Sequence, residues 1–384
     1  MLTMNGRELL TATFRGERTD RMPVSPFIAH NNIYEMFRYK PEIDSYMCPP
    51  DFDLAEKFVA YHDFFGFDVL FTLGHIGDRY IPSSAENWEV TVTREGYRDK
   101  QHRITTVRTP EGELRQVMNF NRSSTYLVVL AMEKYLIETR RDFEIFAKYV
   151  PPAEFMDCDL MRGARKAVGD KGLVNPCTHG AFNTLAQLRK LEDVMMDPLT
   201  DEGLYRAMVE FLLQWQMTLL REVIKAGADC IEIGGNMATS CVGPEFFQRY
   251  VMEYENQMAR EIHAAGAYVV YHNCGDAQKI MHLYNDMDID VWGYLTGPPF
   301  GDVILDDVLR IIRPSMALRG NIDQVEFLRN ATPEQVKQRV REVLERVKAR
   351  GNWILSTTDF PFDGLPYENM HALAEAGREY GRYE

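Results

Sequence analysis

In VVYHNCGD (269–276) an apolar run stops at His272, and a thiol follows two residues later at Cys274. Alternate residues of a strand share a face, so an imidazole and a thiol at this spacing can point to the same side. Zinc accepts histidine nitrogen, cysteine thiolate and carboxylate oxygen, and a catalytic zinc keeps one coordination position open. Two donors do not make a site, and the same pair fits an ordinary tight turn. Other apolar runs also end in polar residues: His30 and Asn31, His75, Asn175 with His179 just beyond, Glu232 followed by Asn236, Asn321 and Asp323, and Asp359. Histidine is scarce, nine in the chain, yet four of them close such runs. Loops are polar in any protein, so part of this clustering is automatic. Each of these side chains has an alternative role in capping a helix or satisfying loop backbone, and for His179 and Asp323 that role is the expectation.

The elements that must position these residues alternate regularly. Eight apolar runs are found at 23–29, 67–73, 173–177, 229–234, 267–272, 288–292, 315–319 and 352–356. Between the later ones lie amphipathic segments. GPEFFQRYVMEYENQMAREIHAAG reads as a helix with Pro244 in its first turn and Gly266 at its stop. Further helical patterns lie at about 183–226, near 276–284, and in LDDVLRII, TPEQVKQRVREVLERVKARG and LPYENMHALAEAGREYG. Strand, loop and helix in repetition predict a parallel sheet with covering helices, and eight runs close a (β/α)8 TIM barrel. In such barrels the chemistry sits at the C-terminal strand ends. Residues 87–120 break the rhythm, alternating apolar and polar side chains with turn signals at REG and TPEG. They predict an antiparallel β insertion between barrel strands 2 and 3. With an N-terminal extension ahead of the first strand, 1–384 reads as one domain. An open doubly wound sheet is the alternative, but no Gly-rich fingerprint follows the first strand.

Composition narrows the function classes. A net charge of −14 argues against a general nucleic-acid binder, which gains affinity by neutralising phosphates. There is no apolar run long enough to cross a bilayer, and MLTMNGRELL lacks the apolar core of a secretory signal. The six cysteines are scattered without framework spacing, as expected of reduced thiols in a cytoplasmic protein. Cys230, inside an apolar run, is expected in the core.

Across nearly its whole length the chain resembles the uroporphyrinogen decarboxylase superfamily, and within it the corrinoid-dependent methyltransferases of the methylcobamide:coenzyme M and O-demethylase types. The resemblance is carried by GRELLTATFRGERTDRMPVSPF, by KAGADCIEIGG with GPEFFQRYVMEYENQMAREIHAAGAYVVYHNCGD, and by LRGNIDQVEFLRNATPEQVKQRVREVLE. For zinc-dependent members it implies ligands at the His and Cys of an H-x-C-G motif, here His272 and Cys274, and at a later Cys. Counting back from Glu368 and Asn369, that later position falls on Asp359, so this sequence departs from the thiol-activating pattern at one ligand. An aspartate still binds zinc, and Glu232 on the neighbouring strand could add a carboxylate. An oxygen-richer set leaves the metal more Lewis acidic, which suits an ether oxygen better than a thiol. Loss of zinc would instead leave His272, Cys274 and Asp359 as direct substrate contacts. The arginine-rich motif that follows the first strand of the decarboxylase is absent from FIAHNNIYEMF.

The resemblance therefore implies a cytoplasmic methyltransferase acting with a cobalamin-bearing corrinoid protein. Its methyl donor would be a small molecule, a methoxy-aromatic or other methyl ether. Glu232, His272 and Asp359 would be catalytic, zinc would sit on His272, Cys274, Asp359 and Glu232, and His30, Asn31, His75, Asn175, His179, Asn236, Asn321 and Asp323 would line the substrate pocket. Alternatives are a metal-free decarboxylase or other lyase, a methylcobamide-to-thiol methyltransferase, and a non-catalytic partner of the corrinoid protein.

Overall fold

A computed structural model describes residues 4–47, 49–73, 80–153 and 158–383. His75 lies outside the described residues. The barrel wall begins with the extended segment 22–25 and continues with β1 (Val69–Phe71). The chain then leaves the wall for four antiparallel strands, β2 (Glu89–Tyr97), β3 (Lys100–Thr109), β4 (Gly112–Arg122) and β5 (Val128–Lys134). It returns with β6 (Gly172–Val174), β7 (Cys230–Gly234), β8 (Tyr268–His272), β9 (Val291–Gly293), β10 (Ala317–Ile322) and β11 (Trp353–Thr357).

β7 to β11 pair in parallel in chain order, and β1 pairs in parallel with β6. Backbone hydrogen bonds close the ring between these groups. Asp229 N–H reaches Val174 O at 2.8 Å and Glu232 N–H reaches Pro176 O at 2.9 Å, joining β6 to β7. At the seam, Leu355 N–H donates to Pro23 O and Ser25 N–H to Leu355 O, both at 2.9 Å, while Asp68 N–H donates to Val24 O at 2.8 Å. Eight parallel segments thus form the expected barrel. The first is not a regular strand because Pro23 and Pro26 carry no backbone N–H to give to a ladder.

Side-chain alternation builds the interior in layers. Leu70, Leu173, Cys230, Val270, Val291, Ala317 and Ile354, one from each of seven strands, form a buried apolar layer. Leu10 and Phe14 of the helix Gly6–Phe14 pack on it and plug the N-terminal end, which is the role of the N-terminal extension. Cys230 is fully buried there, as expected. Two residues further along the strands the same inward positions carry Asn175, Glu232, His272, Arg319 and Ser356. The barrel therefore turns from apolar to polar within one layer.

Three sequence expectations need correction. The insertion runs to Lys134 rather than ending at residue 120, because β5 carries consecutive apolar residues (Val128, Val129, Leu130) instead of an alternating pattern. The turn expected at Arg94–Gly96 lies inside β2, and the chain reverses at Arg98 and Asp99, with Arg98 at φ 53. The turn at Pro110 and Glu111 is where TPEG placed it. The helix expected near 276–284 is a turn followed by the 3-10 segment Met281–Asp286. The pattern over 183–226 resolves into helices Ala181–Leu188, Leu191–Thr200 and Glu202–Lys225.

Candidate active site

The polar layer holds one connected network. Nδ1 of His272 lies 2.8 Å from Oε1 of Glu232, and Nε2 of His272 lies 3.4 Å from Sγ of Cys274. The other oxygen of Glu232 accepts from Asn175 Nδ2 at 2.9 Å and from Tyr294 OH at 3.1 Å. Arg319, fully buried, donates to Tyr294 OH and stands 3.9 Å from the same carboxylate oxygen. Phe27 stacks on Tyr294 with ring centroids 4.7 Å apart. Gly234 lets β7 pass this close to β8: it sits at φ +94, and a Cβ there would come within 2.5 Å of the His272 carbonyl.

Electrostatics follow from these contacts. Burial opposes ionisation of Glu232, yet the hydrogen bond and charge of His272, with Arg319, outweigh it and hold the carboxyl below its usual range. Burial likewise opposes a charged His272, but Cys274 and Glu232 lift its pKa well above the ordinary value. Asp359 is shifted the opposite way to Glu232, because burial raises its carboxyl and His272 offsets this only in part.

The His272–Cys274 pair fits zinc. Tetrahedral Zn–N and Zn–S bonds place the two donor atoms about 3.6 Å apart, close to the observed 3.4 Å. The carboxylate on the far ring nitrogen is the arrangement that fixes the tautomer of a metal-binding histidine. The wider ligand set expected from the sequence is not assembled. Among the described residues no three His, Cys, Asp or Glu side chains are grouped to hold a metal. Glu232 is engaged behind the imidazole rather than beside the thiol. Asp359 faces the cavity that Cys274 also lines, but its Oδ1 accepts from the neighbouring Phe360 N–H at 2.7 Å.

That cavity, 340 Å³, is bounded by Asn236, Cys274, Gln324, Asp359 and the rings of Phe300 and Phe360. Among the described residues, several buried polar atoms inside the barrel have no hydrogen-bond partner: Asn175 Oδ1, Asn321 Oδ1, Arg319 Nε and the hydroxyls of Ser25 and Ser356. Leaving such an atom unpaired costs about 1–3 kcal/mol, so each of these is an open hydrogen-bonding position in the polar layer.

Residues 131–380 match the family model described as Uroporphyrinogen decarboxylase (URO-D), about two thirds of the chain. The chain belongs to the URO-D family. Among curated relatives it is 27% identical over 142 residues to the methylated-thiol–coenzyme M methyltransferase of Methanosarcina mazei, covering 37% of this chain and 35% of the relative. It is 23% identical over 194 residues to the methylcobamide:CoM methyltransferase MtbA of Methanosarcina acetivorans, covering 47% of this chain and 51% of the relative. The matches thus span between a third and a half of the length of these relatives. A solved structure described as a methyltransferase from Methanosarcina mazei superposes with a TM-score of 0.71 at 16% identity, covering 98% of this chain and 99% of that one. That likeness extends the fold over the whole chain.

The remaining expected site residues of this URO-D family chain have mixed positions. Asn175 belongs to the network and Asn236 to the cavity. Asn321 stands inward on β10, one layer above Arg319. Asn31 donates to Pro361 O at 2.9 Å and ties the first strand's end to the loop after β11. His30 is buried among Tyr34 and Tyr46. Asp323 accepts from Val325 N–H at 2.8 Å and Phe327 N–H at 3.0 Å, so it satisfies the backbone of the turn after β10. His179 is hydrogen-bonded to Tyr80 OH at 2.6 Å and faces the insertion, not His272. Tyr294, Arg319 and Phe27 were not anticipated. Arg319 carried a readable signal, a lone charge inside the seventh apolar run, whereas Tyr294 and Phe27 resemble ordinary core residues.

Proposed function

We propose that this protein is a corrinoid-dependent methyltransferase that moves a methyl group from a small methylated substrate, a methoxy-aromatic or other methyl ether, to the cobalt of a partner corrinoid protein. The observation that carries this reading is the His272–Cys274 donor pair, backed by Glu232, at the C-terminal end of a URO-D family barrel. The names of the curated relatives support the reaction class.

His272 Nε2, Cys274 Sγ and Asp359 would hold zinc, Asp359 giving up its bond to Phe360 N–H. Bound there, zinc would act as a Lewis acid toward the ether oxygen. Glu232 keeps the imidazole oriented with Nε2 toward Cys274, and Asn175 and Tyr294 keep Glu232 in place. Arg319 holds the negative charge of Glu232 in a buried setting. Phe300 and Phe360 give an aryl ring an apolar seat beside Cys274 and Asp359. A second reading, methyl transfer from methylcobamide to a thiol, is favoured by the coenzyme M enzymes among the relatives; Asp359 in place of a cysteine is what favours the ether.

Two measurements test this. Purified protein should carry close to one zinc per chain. With a methylated corrinoid protein as the product readout, a methoxybenzene should serve as donor. Stoichiometric zinc with transfer only to or from thiols would replace the first reading by the second. Zinc-free protein without methyl transfer would leave a metal-free lyase or a non-catalytic binder.

A further inference from the structure

The strap after β11, residues 358–366, forms neither helix nor strand, yet it carries three groups that bound the cavity of Cys274: Asp359, Phe360 and Phe362. Outside regular structure, such a segment takes its shape from individual bonds to its neighbours. Gln324 Oε1 fixes the start, accepting from Thr358 Oγ1 at 2.8 Å and from Asp359 N–H at 3.2 Å. Pro361 O accepts from Asn31 Nδ2 at 2.9 Å and from Asn32 Nδ2 at 2.8 Å, both in the first turn of the helix His30–Met36. Glu35 of the same helix accepts from Gly364 N–H at 2.8 Å.

One side chain of the strap reaches the insertion sheet. Asp363 Oδ2 accepts from Tyr126 N–H at 2.9 Å and from Ser124 Oγ, both in the connection between β4 and β5. Its Oδ1 accepts from Asn31 Nδ2 at 3.3 Å, and its backbone carbonyl accepts from Arg329. One carboxylate thus joins the insertion, the end of the first barrel strand and the strap. Hydrogen bonds to a charged acceptor are the stronger kind, and Asp363 is half-buried, where losing them costs more. From the strap, an aromatic series leads to the donor pair. Phe360 meets Phe27 edge-on with centroids 6.0 Å apart, and Phe27 meets the His272 ring edge-on at 6.2 Å. Cys274, which lines the same cavity as Phe360, is only 9% exposed.

We infer that Asp363 is a positioning residue: it ties the strap to the insertion sheet and so sets Asp359, Phe360 and Phe362 about the cavity, making access to Cys274 and the grip on an aryl ligand depend on the insertion. The inference rests on the proposed methyl transfer for the choice of ligand, and not for the control of access to Cys274.

Alkylation of the full chain by iodoacetamide, with a chelator present so that no metal masks the thiol, tests access directly. Mass spectrometry then gives a rate for each cysteine. Asp363→Ala should raise the rate at Cys274 by about tenfold or more, because a strap released from the insertion opens locally. Cys230, fully buried in the apolar layer, reports opening of the whole barrel and should stay unreactive. Ser124→Ala changes only the insertion side and should act in the same direction by a smaller factor; it carries the test if Asp363→Ala does not fold. Asp363→Asn keeps an acceptor for Ser124 and Tyr126 and should restore most of the protection. Calorimetric titration with methoxybenzene should show binding weakened by about tenfold in Asp363→Ala. The inference is overturned if Cys274 reacts at the parent rate in both alanine variants, or if Cys230 becomes reactive in step with it. It is also overturned if the asparagine variant is as reactive as the alanine one, or if the parent binds methoxybenzene and Asp363→Ala binds it equally well. Protection of Cys274 that depends on Asp363, in a parent that does not bind methoxybenzene, would sustain the strap and sink the proposed donor.

Discussion

At the scale of single residues, the site is set by which atom of each polar side chain is already committed. His272 has one nitrogen on Glu232 and the other toward Cys274, so only Nε2 and the thiol are placed to share an electrophile. Cys274→Ser should therefore lower zinc content and methyl transfer together, because an alcohol is a far poorer zinc ligand than a thiolate. Metal analysis and single-turnover transfer on one preparation check this, and unchanged values in both would reduce the pair to a turn. Asp359 makes the complementary case. Asp359→Cys should retain or tighten zinc, since thiolate is the softer donor. It should also slow ether cleavage, because the metal becomes more electron-rich. A faster ether cleavage in that variant would remove the reason given for the aspartate.

At the scale of elements, one packing contact carries a pH dependence. The helix Glu253–Ala264 buries Glu255 completely, and among the described residues neither carboxylate oxygen has a hydrogen-bond partner. The carboxylate is pressed on Gly180, where a Cβ would stand 1.8 Å from Oε1. Burial pushes its pKa up to about 8. The folded chain thus keeps a proton that the unfolded chain releases near its ordinary value of 4.5. Stability from this group is fully present below that ordinary value and is lost as pH rises toward 8. Glu255→Gln, which stays neutral, should flatten this slope. Its melting temperature should match the parent's at the acid end of the window and exceed it by several degrees at pH 8. Parallel pH–stability curves for the two proteins would show that Glu255 does not titrate in this way.

At the scale of the whole molecule, the barrel depends on a seam where the first strand is interrupted by prolines. Asp68 bridges it, accepting from Arg21 Nη1 at 2.7 Å, Arg21 Nη2 at 2.6 Å and Val24 N–H at 2.8 Å. Removing one partner of a buried, hydrogen-bonded pair leaves the other charge uncompensated, so Asp68→Ala should cost about 3–5 kcal/mol. Denaturant unfolding measures it. A loss below about 1 kcal/mol, the range of an exposed pair, would mean that the seam is held by its backbone bonds alone.

The sequence by itself determined the barrel and the strand ends at which its polar residues gather. Burial on both faces makes parallel strands read as continuous apolar runs, and these were visible from Val69 to Trp353. The abrupt ends of such runs, at Asn175, Glu232 and His272, marked where the polar layer begins. Only the tertiary structure decided what each polar residue does there. Glu232 and Asp359 are both carboxylates at strand ends, yet one is tied behind the imidazole and the other faces the cavity beside Cys274. His272 and His179 both follow apolar runs, yet one meets Cys274 and the other meets Tyr80 of the segment leading into the insertion. Sequence periodicity reports which face of an element is buried. Which groups meet across the barrel depends on strand stagger and on insertions tens of residues away, which no local pattern encodes.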